Sequence, residues 1–283
     1  MSDIYWYIFR LKKVRIFKKP CNKGQILRLL TLPISLLLVM MVATDAGFAS
    51  NADVRIPFQV GEKLSYVLKW SIIPVGESEL QILDGSEELG QPAFLFRVTA
   101  RSYPFIDLIY KVRDRIESYA DRSMTHSLLY RKKQREGSYK KDSLVKFDWN
   151  RKKAHYYRKG KYKKTIDLLP GTFDPLGVFY AFRLFALKAK LEVELPVTDG
   201  KKLVIGKARI IKRERVKVVA GKFDTFLIEP DLKHIGGIFR KSKDARLQVW
   251  VTADDRRLVV KAKSKVIVGH FTAELVSMEG VLQ

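Results

Sequence analysis

The sequence predicts a mainly β protein in which one strongly curved antiparallel sheet, a spiral or a half-open barrel, carries a single central helix. Short apolar runs and period-two alternation recur from Ser50 to the carboxyl terminus, and turn residues separate them. Only one segment has the spacing of an amphipathic helix. Because parallel strands need long crossover connections, the pattern favours antiparallel order in a single β-rich domain over residues 50–283.

Alternation of apolar and polar residues identifies roughly a dozen strands between residues 63 and 278. In the first, residues 63–70, one face carries Leu64, Tyr66, Leu68 and Trp70, and Pro74 is predicted to break the run that follows. Turns are predicted around Gly90-Gln91-Pro92, Lys159-Gly160, Thr198-Asp199-Gly200, Ala220-Gly221-Lys222 and Ala253-Asp254-Asp255-Arg256.

The segment after Thr172 is the one that predicts a helix. Asp174 suits the cap, because its carboxylate can accept hydrogen bonds from unpaired backbone N–H groups, and Pro175 suits the first helical position. Apolar side chains follow at helical spacing through Phe179 and Leu184. We expect a helix of about three to four turns over residues 175–188. It would close one mouth of the curved sheet, and a mobile lid is the alternative.

The first 49 residues have the three-part layout of a secretory signal peptide. A basic leader precedes the apolar run 29–43, and Gly47-Phe48-Ala49 supplies the small residues of a cleavage site. The apolar run is shorter than the ~20 residues that span a bilayer, although an uncleaved anchor remains the alternative. Under either interpretation the rest of the chain is translocated, because the basic leader stays on the cytoplasmic side. We expect it in the periplasm or envelope of a Gram-negative bacterium. The single cysteine, Cys21, lies before the apolar run, so residues 50–283 can form no disulfide.

Four blocks of residues occur in order along the predicted domain. They are Pro57-Phe58-Gln59-Val60-Gly61-Glu62-Lys63-Leu64-Ser65-Tyr66 with Trp70 and Pro74-Val75-Gly76-Glu77, Asp174-Pro175-Leu176 with Tyr180 and Arg183, Gly221-Lys222-Phe223-Asp224-Thr225 with Glu229-Pro230, and Val249-Trp250-Val251 with Asp254-Asp255-Arg256-Arg257-Leu258. In these blocks the chain resembles the bacterial domain-of-unknown-function family 3108. The resemblance implies an exported envelope protein with a curved or spiral β-sheet, broadly like periplasmic lipoprotein carriers, and it implies no reaction.

A strongly basic stretch, residues 131–164, is the sharpest feature of the composition. It holds fifteen Lys or Arg residues against three acidic ones, in a chain with 54 Lys+Arg and 30 Asp+Glu. Lys140, Lys141, Lys152 and Lys153 are therefore candidate ligands for an anionic envelope component, such as a lipid head group or an envelope polymer. The plainer interpretation is a solvated face of long hairpins, and export argues against nucleic acid as the partner.

Aromatic residues on the predicted strand faces are candidates for an apolar cavity. Tyr66, Trp70, Phe96 and Trp250 would line it if the sheet curls without closing, and an acyl chain would fit there. Ordinary core packing is the competing interpretation of the same four residues.

The sequence contains no motif of a nucleophile, a phosphate loop or a metal protease, so no catalytic residue, metal or cofactor is predicted. The leading hypothesis is a non-enzymatic envelope protein that binds a lipid or an anionic envelope component in or on the curved sheet. A scaffold that docks to a protein partner through exposed strand edges is the second hypothesis. A cell-wall hydrolase is the third, and it needs paired carboxylates with a shifted pKa.

Overall fold

The computed structural model of the chain describes residues 55–231, 246–266 and 269–283. The predicted signal peptide or anchor over residues 1–49 lies outside the described residues. The strands are β1 (Lys63–Trp70), β2 (Ile73–Asp84), β3 (Ala93–Ser102), β4 (Arg113–Asp121), β5 (Ser127–Glu136), β6 (Tyr139–Asp148), β7 (Lys153–Arg158), β8 (Lys161–Asp167), β9 (Glu192–Thr198), β10 (Leu203–Val218), β11 (Gly221–Pro230), β12 (Arg246–Thr252), β13 (Val259–Val266) and β14 (Gly269–Glu279). The helices are α1 (Ser86–Leu89), α2 (Pro104–Asp107) and α3 (Gly177–Ala181), and a 3-10 turn (Phe182–Leu184) follows α3.

The fourteen strands form one sheet in the order β8-β7-β6-β5-β4-β3-β2-β1-β14-β13-β12-β11-β10-β9. Each strand pairs antiparallel with its neighbour, and β1 pairs with β14, so the first and last strands meet in the middle of the sheet. The two edge strands, β8 and β9, do not pair with each other, and the curved sheet is therefore unclosed. The predicted fold class, mainly β with a strongly curved antiparallel sheet, is confirmed, and the described residues hold three short helices where one central helix was predicted.

One prediction about the strands needs correction, and two short helices were missed. Pro74 does not break the sheet but lies inside β2, opposite Lys69 of β1. The register of this pair shifts between Leu68 and Lys69, and such an irregularity accommodates a residue that has no N–H to donate to the ladder. The short helices α1 and α2 were not predicted, because a single helical turn leaves too few residues for a periodic pattern.

Asp174 accepts the hydrogen bonds predicted for it, but the helix begins at Gly177 and not at Pro175, and it is much shorter than residues 175–188. The Asp174 carboxylate accepts hydrogen bonds from the backbone N–H groups of Leu176 (2.8 Å) and Gly177 (2.9 Å). The backbone of Phe185 is already extended. The reason is packing: Tyr180 belongs to one hydrophobic cluster while Phe185 packs against another, so the chain changes direction between them.

The main hydrophobic cluster lies between α3 and one face of the β3–β7 region. This face, called the inner face here, carries Phe96, Ile116, Tyr130, Val145 and Tyr156. Phe96 is fully buried and its ring stacks on Tyr180 of α3 with a centroid distance of 3.8 Å. The α3 segment therefore packs on the inner face, and closure of one mouth of the sheet stays a prediction.

A buried ion pair fastens the α3 segment to the sheet. The side chains of Arg183 and Glu62 are only 3% and 1% exposed, and Arg183 Nη2 donates to Glu62 Oε2 at 2.9 Å. The same guanidinium donates to the backbone carbonyl of Arg256 (2.8 Å) in the β12–β13 turn and lies over the ring of Phe58. The Arg183 side chain thus connects three parts of the structure: the residues just before β1, the segment that follows α3, and the β12–β13 turn.

Candidate anion-binding site on the inner face

The four lysines predicted from the sequence do not form one cluster. Lys140 and Lys141 lie at the start of β6, whereas Lys153 pairs with Asp148 at its other end. Lys141 and Asp148 are seven positions apart, which corresponds to roughly 24 Å at the usual rise per strand residue. Lys140 is exposed, Lys152 occupies an exposed turn, and Lys153 forms an ion pair with Asp167.

Several other charges of the basic stretch are matched by carboxylates. Arg131 donates to Glu88 at 2.7 Å and to Glu117 at 3.3 Å, and Arg135 binds Asp142 at 2.9 Å. Because a matched cation has little attraction left for an external anion, these arginines are weaker candidates for binding an anionic partner than unpaired lysines.

Lys141 belongs to a different set, which strand register places on the inner face. Ile116, Lys132, Ser143 and Arg158 face one another across β4, β5, β6 and β7. Directly opposed residues of antiparallel strands share a face, so Lys132 and Arg158 lie on the same side as the partly buried Ile116. Gln134 pairs with Lys141 in the next row. The inner face therefore changes from apolar to basic toward the β5–β6 turn, at the end of the sheet called the tip end here.

Lys132 and Lys141 are half-buried lysines without a direct counterion. Among the described residues, no carboxylate lies within ion-pair distance of either ammonium group. Burial lowers the pKa of Lys132, and burial together with the charges of Lys201 and Lys132 lowers the pKa of Lys141 to about 8. Removing an ammonium group from water without pairing it is costly, and a bound anion would offset that cost.

The β9–β10 turn brings a further lysine to the same place from the other edge of the sheet. Gly200 has a φ of +84° and lies so close to β6 that an added Cβ would stand 2.7 Å from a methyl carbon of Val145. Only glycine combines that backbone conformation with this approach. Lys201 binds Asp199 at 2.8 Å, and its backbone carbonyl accepts a hydrogen bond from Lys164 of β8 at 2.9 Å.

Two carboxyl groups complete the inner-face site. Gln134 Nε2 donates to Glu136 Oε1 at 2.7 Å, and Asp114 Oδ1 accepts the backbone N–H of Arg135 at 2.9 Å. Burial and a hydrogen bond shared with Asp114 raise the pKa of Glu136. Lys132, Lys141, Arg158 and Lys201 stand against Asp114, Glu136 and Asp199 at this place, so the cationic groups of the site outnumber the acidic ones by one.

The four aromatic residues predicted to line an apolar cavity are not brought together. Tyr66 and Trp250 belong to one hydrophobic cluster, and the fully buried Phe96 belongs to another. The Tyr66 hydroxyl donates to the backbone carbonyl of Val259 at 2.8 Å, and Trp250 Nε1 donates to Glu214 at 2.9 Å. Trp70 is 37% exposed at the end of β1. Tyr66, Phe96 and Trp250 are core residues, as the competing interpretation held.

Lys132, Glu136 and Lys201 belong to the site but were not singled out from the sequence. The signal for Lys132 is its position two residues after Tyr130, which puts the two side chains on one strand face. No comparable signal exists for Lys201, because its place depends on a turn that crosses from the other edge of the sheet.

Two further properties bear on what this region can bind. Among the described residues, no group of three or more His, Cys, Asp or Glu side chains is arranged to hold a metal ion. In the same residues, no helix is long and apolar enough to cross a membrane.

Comparisons with known proteins agree with the fold. The sequence model of the family described as "Protein of unknown function (DUF3108)" matches residues 65–276. No curated protein matches the chain. A β-barrel-like protein of the DUF1849 family from Brucella abortus is similar at a TM-score of 0.51 and 13% identity, over 79% of this chain and 98% of that one. A protein with a YmcC-like fold from Bacteroides fragilis matches at a TM-score of 0.36 and 8% identity, over 79% and 97% of the two chains.

Proposed function

The chain belongs to the DUF3108 family of proteins of unknown function, and on that premise we propose that it is a non-enzymatic envelope protein that binds an anionic lipid head group. The proposed site is the basic part of the inner face, around Lys132 and Lys141. The leader predicted over residues 1–49 supports the envelope location.

The observation that carries the proposal is the pair of half-buried lysines, neither of which has a carboxylate of the described residues within ion-pair distance. Asp114, Glu136 and Asp199 act on Lys132 only from farther away. A protein that needed these positions only for packing would be better served by apolar side chains, because burying an unpaired ammonium is unfavourable. Arg158 and Lys201 contribute further positive charge to the surroundings of Lys141. A compact group with one or two negative charges, such as a phosphate, matches the site better than an extended polymer, because the two lysines are partly enclosed.

The test uses two amphiphiles with the same chain and different head groups, dodecyl phosphate and the neutral dodecyl maltoside. Lys132→Met combined with Lys141→Met should weaken binding of dodecyl phosphate at least about tenfold, because each lysine contributes roughly 1 kcal/mol or more to a partly desolvated anion. Titration calorimetry on the full chain measures the affinity.

The matched control is the double variant Lys140→Met and Lys152→Met, which loses the same two charges from exposed positions. It should bind dodecyl phosphate within about twofold of the unaltered protein. An equal loss of affinity in both double variants would show that dodecyl phosphate is attracted by the overall positive charge of the protein and is not bound at the inner-face site. Equal affinity of the unaltered protein for the two amphiphiles would end the proposal.

One observation keeps the hydrolase hypothesis as a second candidate. Asp114 and Glu136 form a carboxyl pair with a raised pKa for Glu136, which is the feature that such an enzyme needs. Incubation with purified cell-wall sacculi separates the two functions. Release of soluble fragments that disappears with Glu136→Gln would establish the hydrolase, and no release at all would exclude it.

The scaffold hypothesis receives less support from the edges of the sheet. Edge strand β9 is already bridged by Phe173, whose N–H donates to Pro196 and whose carbonyl accepts from Thr198. Edge strand β8 carries Lys161, Lys163 and Lys164, and lysines on an edge discourage pairing with another strand.

A further inference from the structure

Exposed apolar side chains are concentrated at the tip end of the sheet. Ile72 is 86% exposed and Leu108 is 88% exposed, the largest values among the exposed large apolar residues of the described chain. Seven of those fifteen residues lie in or beside the β1–β2, β3–β4 and β13–β14 connections. They are Trp70, Ile72, Ile73, Phe105, Leu108, Ile109 and Phe271. The other eight do not form a comparable group along the sequence.

Backbone hydrogen bonds join these connections into one surface. Ser71 N–H, in the β1–β2 turn, donates to His270 of β14 at 2.8 Å, and Tyr103 N–H, before α2, donates to Val75 of β2 at 3.1 Å. The β5–β6 turn joins them through Gly137, whose N–H donates to Lys111 at 2.8 Å. The apolar side chains therefore protrude from neighbouring tips that are held in register, not from independent loops.

The charges around the tips are positive. Lys111, Lys140 and Lys265 are exposed, and no carboxylate of the described residues lies within ion-pair distance of them. Three carboxylates near this end are ion-paired: Asp107 with Arg113, Glu77 with Arg101, and Glu274 with Lys69 and Lys261. Asp114 and Glu136 share a hydrogen bond on the inner face instead. The tip end thus presents protruding apolar groups with uncompensated lysines beside them.

We propose that the tip end docks on the surface of an anionic bilayer, with the apolar tips inserted among the lipids. Protruding apolar side chains beside basic ones are the combination that binds an anionic interface, because burial of apolar area and attraction to head groups add. A protein partner would have to supply acidic groups around several separate apolar pockets, whereas a bilayer offers both properties everywhere.

This inference goes beyond the proposed function, since it needs no bound head group. If both hold, the inner-face site opens toward the membrane, because Lys141 lies at the same end of the sheet as the β5–β6 turn. The two proposals can be tested separately. The proposed function is tested by the binding of a soluble amphiphile at Lys132 and Lys141, and the docking is tested by the position of the exposed tips relative to a bilayer.

A fluorescent label on one tip residue tests the docking even if the leader itself inserts into the membrane. Leu108→Cys in a Cys21→Ser background is labelled with an environment-sensitive dye, and vesicles of phosphatidylethanolamine with phosphatidylglycerol are added to the full chain. We expect the emission to shift to shorter wavelength and to be quenched by spin-labelled lipids. A label introduced by Ile205→Cys, at an exposed apolar residue in the middle of the β9–β10 hairpin, is the control and should show neither change.

Two results would overturn the inference. One is that the label at position 108 remains in water while the protein co-sediments with the vesicles. The other is that the protein does not bind these vesicles at low ionic strength. Lys111→Gln with Lys265→Gln should weaken the binding and reduce its dependence on salt, and an unchanged salt dependence would also contradict the proposed role of the lysines.

Discussion

Replacing Arg183 by methionine is expected to lower the free energy of unfolding by about 3–5 kcal/mol, because it leaves the Glu62 carboxylate buried without a partner. Both side chains are almost completely enclosed, so water cannot replace the lost guanidinium. The variant also removes the donors to the Arg256 carbonyl in the β12–β13 turn. Urea denaturation followed by circular dichroism measures the loss.

Two controls show whether burial is the cause. Arg213→Met breaks an ion pair with Asp224 between two exposed side chains and should change stability little. Adding Glu62→Leu to Arg183→Met removes the unpaired charge, so the double variant should be more stable than Arg183→Met alone. A loss of stability in Arg183→Met as small as that of Arg213→Met would contradict the role assigned to the buried pair.

Replacing Asp174 by alanine is expected to lower the free energy of unfolding by about 3 kcal/mol. The carboxylate accepts hydrogen bonds from two buried serine hydroxyls, those of Ser118 (2.5 Å) and Ser127 (2.6 Å), as well as from two N–H groups at the start of α3. All four donors would lose their acceptor in a place that water does not reach, since Asp174 is fully buried.

Asp174→Asn is the informative companion of this variant. Burial raises the pKa of Asp174, while its four hydrogen bonds act in the opposite direction. Asparagine keeps one acceptor for the N–H groups and removes the buried charge, so we expect it to cost less than half as much as alanine. Equal destabilisation by the two variants, measured by the same urea titration, would show that charge and not hydrogen bonding holds the helix cap.

Local patterns were enough to predict most of the sheet. Alternating strands and polar turns led directly to antiparallel hairpins, and the turn at Asp254-Asp255 lies where it was expected, with Asp254 bonded to its own backbone neighbour Arg256. The cap by Asp174 was also predictable, because it depends on residues two and three positions away. The length of α3 was not, because the helix ends where its neighbours pack and not where its own apolar spacing ends.

The candidate site was predicted in part. Lys141 was singled out by local charge density, but that measure could not separate it from Lys140, whose side chain lies on the opposite face of the same strand. Strand register distinguishes them, and register follows from pairing between residues far apart in the sequence. Lys201 comes from an edge of the sheet distant from β6 in strand order, so its contribution becomes visible only once the sheet is curved.

The titration of Lys141 tests the central claim most directly. Carbon-13 labelling of lysine side chains allows its pKa to be followed by nuclear magnetic resonance, and Lys141→Met identifies the signal. We predict a pKa of about 8 in the free protein, as burial and the charges of Lys201 and Lys132 require. With saturating dodecyl phosphate the pKa should rise by about one unit or more, because a neighbouring negative charge stabilises the ammonium form. A pKa near that of a free lysine, or one that dodecyl phosphate does not change, would contradict a half-buried anion-binding site on the inner face.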